Sequence, residues 1–338
     1  MATHDFDIIG AGSPIVDLLV QVEEEHIGSI AGEKGGMELV DSDTIDMLVR
    51  QCGTEFTQAP GGAAANTISA ASRLGLKTTF IGMVGSDDTG SMYLDSFTKI
   101  GCDTSRFIRH ARVKTACCLS MITPDSERTM RTHLGAAAEL KPDNIRAEDF
   151  AGCKYLYVEG YLLFNRDLIT TIIAKAREAG CKVAMDFGSF EMIHAAKDFL
   201  PQMLKDSIDV ILANEEEAEA FTGQKSAEEA ARILGDLCEV AVVKRGRKGS
   251  IIRGGDITCT VDPISPDRVV DSTGAGDMCA AGIMYGIVKE LPLSVCGELG
   301  SIMGGNAVRY IGSIPPEEEW PHIRKAIEKT ISQGVYHD

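Results

Sequence analysis

The stretch from Asp271 to Asp277 reads Asp-Ser-Thr-Gly-Ala-Gly-Asp and runs into small and apolar residues over 278–287. The pattern predicts a strand end that passes through a glycine turn into a helix, because glycine allows torsions and close approaches that other residues avoid. At the start of that helix, the amides of Gly274, Ala275 and Gly276 would lie at the positive end of the helix dipole. The segment therefore predicts a turn that binds an anion.

Asp277 follows this turn directly and has two interpretations. A carboxylate in this position can accept the proton of an attacking hydroxyl, while the amides stabilise charge on a transferred phosphoryl group. Alternatively, Asp277 caps the helix, which is a common use of aspartate near a helix start. The spacing alone does not separate the two interpretations.

The composition indicates a globular protein with a large core. The chain has 338 residues, of which 44% are hydrophobic, and this length fits one large α/β domain with an insertion or two compact domains. Its net charge of −17 argues against nucleic acid as a partner, because a protein that neutralises phosphates presents a positive surface.

The cysteines and the start of the chain bear on the compartment. Ten cysteines show no paired metal spacing, so we expect reduced and mostly buried thiols. The start lacks a basic segment followed by an apolar one, and no apolar run reaches the roughly 18 residues of a membrane span. We therefore expect a soluble, cytoplasmic protein that does not enter membranes.

Short apolar runs alternate with longer helical patterns along most of the chain. Buried strands are predicted at 6–10, 78–84, 155–159, 182–186, 209–213 and 240–244. Helices are predicted at 63–74, 167–179, 215–221, 227–237, 275–289, 293–310 and 318–332. This alternation favours an α/β fold with a doubly wound, mostly parallel sheet that is flanked by helices.

Two regions break this alternation, at about 15–40 and 115–133. The first contains extended pieces around several glycines, and in the second the pieces 115–123 and 128–133 flank a polar turn at 124–127. Both patterns are typical of hairpins outside the main sheet. We expect a small β-sheet lid over the active-site edge, inserted in a single domain that spans 1–338.

A second glycine-rich segment, 60–67, reads Pro-Gly-Gly-Ala-Ala-Ala-Asn-Thr and leads to Arg-Leu-Gly at 73–75. Together with 271–277, it resembles the two signatures of the ribokinase-like carbohydrate kinases, also called the PfkB family, which includes ribokinase, fructokinases and adenosine kinases. The resemblance runs from about residue 7 to residue 316. It implies a ribokinase-like fold and transfer of the γ-phosphate of ATP to a hydroxyl of a sugar or nucleoside.

The resemblance also implies roles for residues near the acceptor. Asp277 would take the proton of the acceptor hydroxyl, and the amides of Gly274, Ala275 and Gly276 would form the anion hole for the γ-phosphate. Residues expected to contact the acceptor are Asp17, Gly36, Gly61, Gly62, Asn66, Glu159 and, from the lid, Arg131. Without the resemblance, Asp17 is also compatible with an exposed acid, 62–75 with an ordinary packed helix, and Arg131 with an exposed strand arginine.

The same resemblance assigns the nucleotide side. Expected ATP-binding residues are Asn214, Lys244, Gly246, Gly249, Ser301 and Gly304, although Ser301 stands where many relatives have asparagine. Glu217 would help Asn214 to organise Mg²⁺ through water, and Asp271 and Thr273 resemble residues that hold K⁺ in several members. The alternatives are a solvated acidic helix start at 214–217 and a solvated basic loop at 244–249.

The segment after Asp186 bears on the choice of acceptor. Many sugar kinases of the family read Asp-x-Asn-x-Arg there, whereas 186–191 reads Asp-Phe-Gly-Ser-Phe-Glu. The segment 128–138 is more similar to the adenosine-kinase-like branch than to ribokinase. A nucleoside acceptor is favoured, with ribose- or fructose-type sugars still open, and we expect transfer to a primary hydroxyl.

Other classes of protein fit the sequence less well. A non-catalytic ligand-binding or scaffolding protein on this fold would usually lose Asp277, a glycine of the turn, or the pair at 214 and 217, and all are present. A nicotinamide-dependent oxidoreductase would need Gly-x-Gly-x-x-Gly after the first strand, whereas 10–15 reads Gly-Ala-Gly-Ser-Pro-Ile. The sequence leaves open whether the protein is a monomer or a homodimer that pairs through the lid.

Overall fold

A sheet of eight strands forms the centre of the computed structural model, which describes residues 4–28, 30–53, 55–125, 127–264, 266 and 268–334. In order across the sheet, the strands are β15 (Ile257–Val261), β14 (Ser250–Gly254), β13 (Val240–Lys244), β12 (Val210–Asn214), β11 (Lys182–Asp186), β10 (Cys153–Glu159), β1 (Phe6–Ala11) and β5 (Thr78–Ile81). The six strands from β13 to β5 run parallel, whereas β14 and β15 form an antiparallel edge. The predicted mostly parallel sheet is confirmed.

The parallel strands are nearly continuous apolar runs because helices cover both faces of the sheet. Residues 210–213 of β12 and 241–243 of β13 are buried without alternation. One face packs against α5 (Arg166–Glu178), α6 (Phe190–Ala195), α7 (Leu200–Ser207), α8 (Glu215–Thr222) and α9 (Ala227–Gly235). The other face packs against α3 (Ala63–Arg73), α4 (Asp88–Lys99) and α10 (Ala275–Val288), with α11 (Leu293–Ala307) and α12 (Trp320–Gly334) outside α3 and α10. None of the described helices is both long enough and apolar enough to cross a membrane.

Five further strands form a second sheet, which we call the small sheet. Its order is β3 (Met37–Leu39), β9 (Arg128–His133), β8 (Ala116–Ile122), β2 (Ile15–Gln21) and β4 (Thr57–Gly61). One face packs against α1 (Glu24–Gly28) and α2 (Ser42–Gln51) through a cluster that includes Ile45, Leu48 and Leu119. The opposite face contributes Asp17 and Met130 to a cleft that it shares with the central sheet.

Helices α2, α6 and α7 and strands β14 and β15 were not predicted from the sequence, and three further differences from the sequence-based expectation have a physical reason. The predicted strand 78–84 is interrupted at Gly82, and β6 (Met83–Gly85) leaves the central sheet to pair with β7 (Ile108–His110). Strand β4 was not predicted, because Thr-Gln-Ala-Pro-Gly lacks alternation; Pro60 is tolerated because β4 lies at the sheet edge. Helix α4 was also missed, although Asp87 caps it by accepting a hydrogen bond from the Gly90 amide. In the predicted turn at 124–127, Ser126 lies outside the described residues.

Trp320 at the start of α12 should be a major source of stability. Its side chain is fully buried, its Nε1 donates to the Pro315 carbonyl at 3.2 Å, and the Arg73 guanidinium lies 5.4 Å from the ring centroid. We expect Trp320→Ala to lower the free energy of unfolding by about 3–5 kcal/mol, because it leaves a large cavity and removes a buried hydrogen bond.

The measurement is urea unfolding, with Phe164→Ala as the control. Phe164 is also a large aromatic residue, but 67% of its surface is exposed, so its removal should cost less than about 0.5 kcal/mol. Equal losses in the two variants would contradict the assignment of Trp320 to the core.

Candidate active site

The cleft between the two sheets has a volume of about 680 Å³ and lies at the carboxyl ends of the parallel strands. These ends bring Glu159 from β10, Asp186 from β11, Asn214 from β12 and Lys244 from β13 to the cleft wall. Asp17 enters from the small sheet on the opposite side. Doubly wound sheets bind their ligands at this edge, so the cleft is the candidate active site.

The predicted glycine turn begins α10 in this cleft. Gly274 has a φ of 72°, and a Cβ there would lie 2.6 Å from the Cα of Ser313, so both the torsion and the available space require glycine. Ala275 and Gly276 line the cleft. A Cβ at Gly276 would lie 3.7 Å from the Nζ of Lys244, which places this ammonium group beside the turn. The turn therefore combines the amides of a helix start with a nearby cation.

Asp277 is held by a side chain from a different helix. The Nδ2 of Asn66, on α3, donates to the Oδ2 of Asp277 at 2.8 Å, and the Ser313 hydroxyl donates to the Oδ1 of Asn66 at 3.1 Å. The Ser313 hydroxyl thereby fixes the orientation of the Asn66 side-chain amide, which in turn fixes the position of one carboxylate oxygen of Asp277. The Thr67 hydroxyl also donates to the Asp277 carbonyl at 3.2 Å, so two hydrogen bonds join the two predicted signatures, which are far apart in the sequence.

The surroundings of Asp277 raise the pKa of its carboxyl group to about 7. Burial is the largest cause, because it disfavours the charged form, and the negative charges of Asp186 and Glu159 act in the same direction. The Asn66 hydrogen bond and the Lys244 charge oppose the increase. A carboxylate with a pKa near neutrality is suited to accepting a proton during turnover.

Lys244 belongs to a hydrogen-bond network across the cleft wall. Its Nζ lies 2.6 Å from the Oδ2 of Asp186, which also accepts from the Tyr157 hydroxyl at 3.3 Å. Burial alone would lower the pKa of Lys244, but Asp186 and Glu217 outweigh it and raise that pKa, so the residue stays charged. Asp186 was not predicted as a site residue; its position at the carboxyl end of a parallel strand was the available signal.

Asn214 and Glu217 form a reciprocal cap at the start of α8. The Asn214 side chain accepts from the Glu217 amide at 2.8 Å, and the Glu217 carboxylate accepts from the Asn214 amide and Nδ2 at 2.8 Å each. Both residues line the cleft and Glu217 is only 3% exposed, so the solvated-helix alternative is wrong. Burial, partly offset by Lys244, raises the pKa of Glu217 to about 7.

The donors at this wall limit how a divalent cation could bind. Among the described residues, no three His, Cys, Asp or Glu side chains are arranged to bind a metal directly. One carboxylate and one amide oxygen at the cleft wall fit an ion that keeps most of its waters, as magnesium does.

The acceptor side is built around Asp17 on β2. The residue lines the cleft, and a Cβ at Gly61 would lie 2.6 Å from its Oδ2, so glycine leaves space for the carboxylate. Burial raises the pKa of Asp17 to about 6, while the nearby Arg128 lowers it. Gly62, with a φ of 100°, begins α3, and the Gly61 carbonyl accepts from the Tyr93 hydroxyl at 2.9 Å.

Glu159 holds the backbone that surrounds this side of the cleft. Its Oε1 accepts from the Ser13 amide at 2.8 Å and its Oε2 from the Ala64 amide at 2.9 Å. The side chain is 2% exposed, and burial raises the pKa of Glu159 to about 7 against the effect of these two bonds. Glu159 therefore lines the predicted acceptor region, but both of its oxygens are already engaged by the protein.

Of the seven predicted acceptor residues, Asp17 and Glu159 line the cleft, whereas Gly36, Gly61, Gly62, Asn66 and Arg131 do not. Arg131 is 2% exposed and donates to the carbonyls of Ala31 and Met130 at 2.7 and 2.9 Å. The prediction that Arg131 contacts the acceptor is therefore wrong. Side chains alternate along a strand, which places Arg128 rather than Arg131 on the cleft face of β9. Gly36 lies beside the strand β9, where its carbonyl accepts from the Met130 amide, and it does not line the cleft.

The predicted nucleotide residues Gly246, Gly249, Ser301 and Gly304 all line the cleft. The Ser301 hydroxyl donates to the Asp262 carbonyl at 3.0 Å and accepts from the Ile264 amide at 2.6 Å. Serine in place of asparagine therefore holds the 262–264 loop against α11. Arg247, exposed beside Gly246, also lines the cleft, so the basic loop lies at the site.

Asp271, just before the glycine turn, accepts four hydrogen bonds. Its Oδ1 accepts from the Thr273 amide at 3.0 Å and the Thr273 hydroxyl at 2.8 Å. Its Oδ2 accepts from the Gly312 amide at 2.8 Å and from Arg128, with which it also forms an ion pair. Thr273 lines the cleft, whereas Asp271 lies behind it.

Comparison with known protein families agrees with this geometry. Residues 38–320 match the model of the pfkB family carbohydrate kinases, which covers more than half of the chain. The chain belongs to this family. It is therefore an ATP-dependent kinase of a sugar or nucleoside, and kinases of this family use a divalent metal ion with ATP.

Curated relatives of this pfkB kinase have different named activities. Adenosine kinase of Saccharomyces cerevisiae is 27% identical over 335 residues, covering 92% of this chain and 97% of that protein. A 5-dehydro-2-deoxygluconokinase of Geobacillus kaustophilus is 29% identical over 260 residues, covering 73% and 78% of the two chains. A nucleoside kinase of Methanothermobacter thermautotrophicus is 27% identical, covering 82% and 86%.

Solved structures show the same fold. The crystal structure of adenosine kinase from Sinorhizobium meliloti matches with a TM-score of 0.85 and 27% identity, covering 96% of this chain and all of that chain. The pfkB kinase therefore shares its fold with this adenosine kinase over 96% of its length.

The first prediction for this site concerns Asp277. If its carboxylate takes the acceptor proton, Asp277→Asn should lower kcat by about 10²–10⁴-fold and leave nucleotide affinity nearly unchanged. Kinetics and nucleotide titration of the same preparation measure both quantities. Asp256→Asn, an exposed aspartate between β14 and β15, is the control. An Asp277→Asn enzyme with the kcat of the wild type would exclude the assignment.

A second prediction concerns pH. Because the pKa of Asp277 is raised to about 7, the rate should fall as the pH falls through about 7, where the base becomes protonated. Asp186→Asn removes a charge that raises this pKa, so the acidic limb of kcat/KM should move to lower pH. A merely structural role for Asp186 would lower the rate at every pH without moving the limb.

Proposed function

We propose that this pfkB kinase phosphorylates a primary hydroxyl of a nucleoside, with Asp277 as the general base. The observation that carries the choice of a nucleoside is a pair of large side chains that line the cleft, one from the side of each of the two sheets. Met130 lines the cleft from β9, and Tyr161 lines it from the turn after β10. A flat heteroaromatic base can cover such a surface, whereas a free sugar presents mainly hydroxyls.

The strand register extends this surface beyond Met130. Strand β3 pairs in parallel with β9, so that Met37 lies opposite Met130 and Leu39 lies opposite Thr132. Paired residues project from the same face of a sheet, which places Met37 and Leu39 on the cleft face. They are 46% and 54% exposed, an unusual position for large apolar side chains unless a ligand or a movement covers them.

Named relatives support the same choice. Adenosine kinases occur among both the curated relatives and the solved structures, and the nucleoside kinase of Methanothermobacter thermautotrophicus also matches. Movement of the small sheet toward the central sheet would bring Met37, Leu39 and Met130 onto the base and exclude water from the reaction.

The proposed reaction uses the site as follows. Asp17 accepts hydrogen bonds from the acceptor hydroxyls, and Asn66 orients the Asp277 carboxylate toward the hydroxyl that reacts. The proton of this hydroxyl passes to Asp277 as its oxygen forms a bond to the γ-phosphorus. The bond from the γ-phosphorus to the bridging oxygen breaks, and ADP leaves.

Charge on the transferred phosphoryl group is stabilised by the protein. The amides of Gly274, Ala275 and Gly276 and the ammonium group of Lys244 act on it together. Asn214 and Glu217 would hold Mg²⁺ through water, and this ion neutralises phosphate charge when bound. The loop at Gly246 and Gly249 and the segment at Ser301 and Gly304 surround the rest of the nucleotide.

We further propose a cytoplasmic location, which is supported by buried free thiols such as those of Cys102, Cys118, Cys153, Cys181 and Cys296. The protein would act as a monomer or as a homodimer through the small sheet. Among the described residues, its outer strands β3 and β4 each have one unpaired edge, which is the surface that such a dimer would use.

Substrate competition is the decisive experiment. Purified protein with ATP and Mg²⁺ is assayed against nucleosides, pentoses, hexoses, ketoses and sugar acids, with Asp277→Asn as the blank for background hydrolysis. We expect kcat/KM for adenosine or another nucleoside to exceed that for ribose at least about 100-fold, because only nucleosides bury the apolar face. A free sugar that equals the best nucleoside would contradict the proposed acceptor.

A variant tests the apolar face itself. Met130→Glu places a charge where the base should pack, so KM for the nucleoside should rise about tenfold or more while KM for ATP changes little. Met47→Glu is the control, because Met47 is 49% exposed on α2, which packs against the opposite face of the small sheet. A Met130→Glu enzyme that keeps the wild-type nucleoside KM would contradict the placement of the base.

A further inference from the structure

Asp271 and Thr273 resemble residues that hold a monovalent cation in several members of the family, but their contacts in this structure do not fit one. An ionised carboxylate has about four lone-pair sites for hydrogen bonds. Thr273 occupies Oδ1 with its amide and hydroxyl, and Gly312 and Arg128 occupy Oδ2. The carboxylate therefore has no oxygen lone pair left to coordinate potassium.

Arg128 already supplies a positive charge at this point. Its guanidinium forms an ion pair with Asp271, and the two side chains are only 12% and 11% exposed. A guanidinium stays protonated at any physiological pH, and its fixed geometry suits a carboxylate. We propose that Arg128 takes the place of the monovalent cation in this kinase, so that the anion turn is held in position without potassium.

The contacts around Asp271 explain how this charge acts on the turn. Asp271 ties Thr273, at the entrance to the turn, to Gly312. The next residue, Ser313, packs against Gly274 and holds the amide of Asn66. Without a positive partner, the buried carboxylate of Asp271 would be destabilised, and the segments on both sides of the turn would lose their common anchor.

The pair also connects the two sheets. Arg128 belongs to β9 of the small sheet, whereas Asp271 precedes α10 against the central sheet. A potassium ion held by Asp271 and Thr273 alone would not make this connection, because neither residue belongs to the small sheet. Arg128 is thus a positioning residue that acts on the anion turn through Asp271.

The first test compares the wild type in KCl, NaCl and choline chloride at equal ionic strength and constant Mg²⁺. We expect kcat/KM to agree within about twofold, since equal ionic strength screens charges equally. The thermal unfolding midpoint should also be the same in the three salts. Activation by potassium of several-fold, or a higher midpoint in KCl alone, would overturn the proposal.

The second test removes the guanidinium. Arg128→Met should lose at least about tenfold in kcat/KM in choline chloride, because the buried Asp271 loses its partner. Potassium should restore part of this loss and raise the unfolding midpoint of the variant, since it can then approach Asp271. Arg128→Lys keeps the charge and should remain insensitive to potassium. An Arg128→Met protein on which potassium has no effect in either readout would also overturn the proposal.

Arg131→Met provides the matched control on the same strand. Arg131 bonds within the small sheet, so any loss from its removal should not be restored by potassium. The measurements of kcat/KM depend on the proposed function, whereas the measurements of the unfolding midpoint do not. If the wild type has no turnover with any acceptor, the proposed function fails, and the midpoints in the three salts still decide the role of Arg128.

Discussion

Four acidic side chains and one ammonium group share the wall of a single cleft, and their mutual electrostatics govern the site. Glu159, Asp186 and Glu217 reach it because the carboxyl ends of parallel strands meet at one edge of a sheet, and Asp277 reaches it from α10. Burial raises the pKa of three of them to about 7, and Lys244 is the cation among them. Burying such a cluster of charges lowers the stability of the fold. Carboxylates with pKa values perturbed in this way are typical of catalytic sites.

The two sheets contribute different properties to this kinase. The central sheet and its helices fix the glycine turn, the proposed base Asp277 and the proposed nucleotide loops beside a close-packed core. The small sheet has one covered face and one face that presents Asp17, Ser120, Arg128 and Met130 to the cleft. The proposed acceptor recognition therefore lies on the element with fewer packing constraints, which agrees with the different named activities of the relatives.

Much of the fold and the centre of the site could be predicted from the sequence, because apolar runs and glycine turns are local signals. Contacts between distant segments could not. Nothing near Glu159 shows that its oxygens bind the amides of Ser13 and Ala64, and nothing near Ser301 shows that it anchors a loop. Arg131 rather than Arg128 was predicted from the sequence as the lid residue, because alternation along a strand does not show which set of side chains faces the cleft. Only the packing of the sheet decides between the two sets.

The most direct measurement is a crystal structure of the kinase with adenosine and a non-hydrolysable ATP analogue. A general base must lie within hydrogen-bond reach of the proton that it removes, about 2.6–3.2 Å between heavy atoms. We expect the primary hydroxyl of adenosine at this distance from Asp277 and in line with the γ-phosphorus, with the base against Met130. A closed complex whose primary hydroxyl contacts another acid, or whose base lies away from the small sheet, would contradict the proposed mechanism.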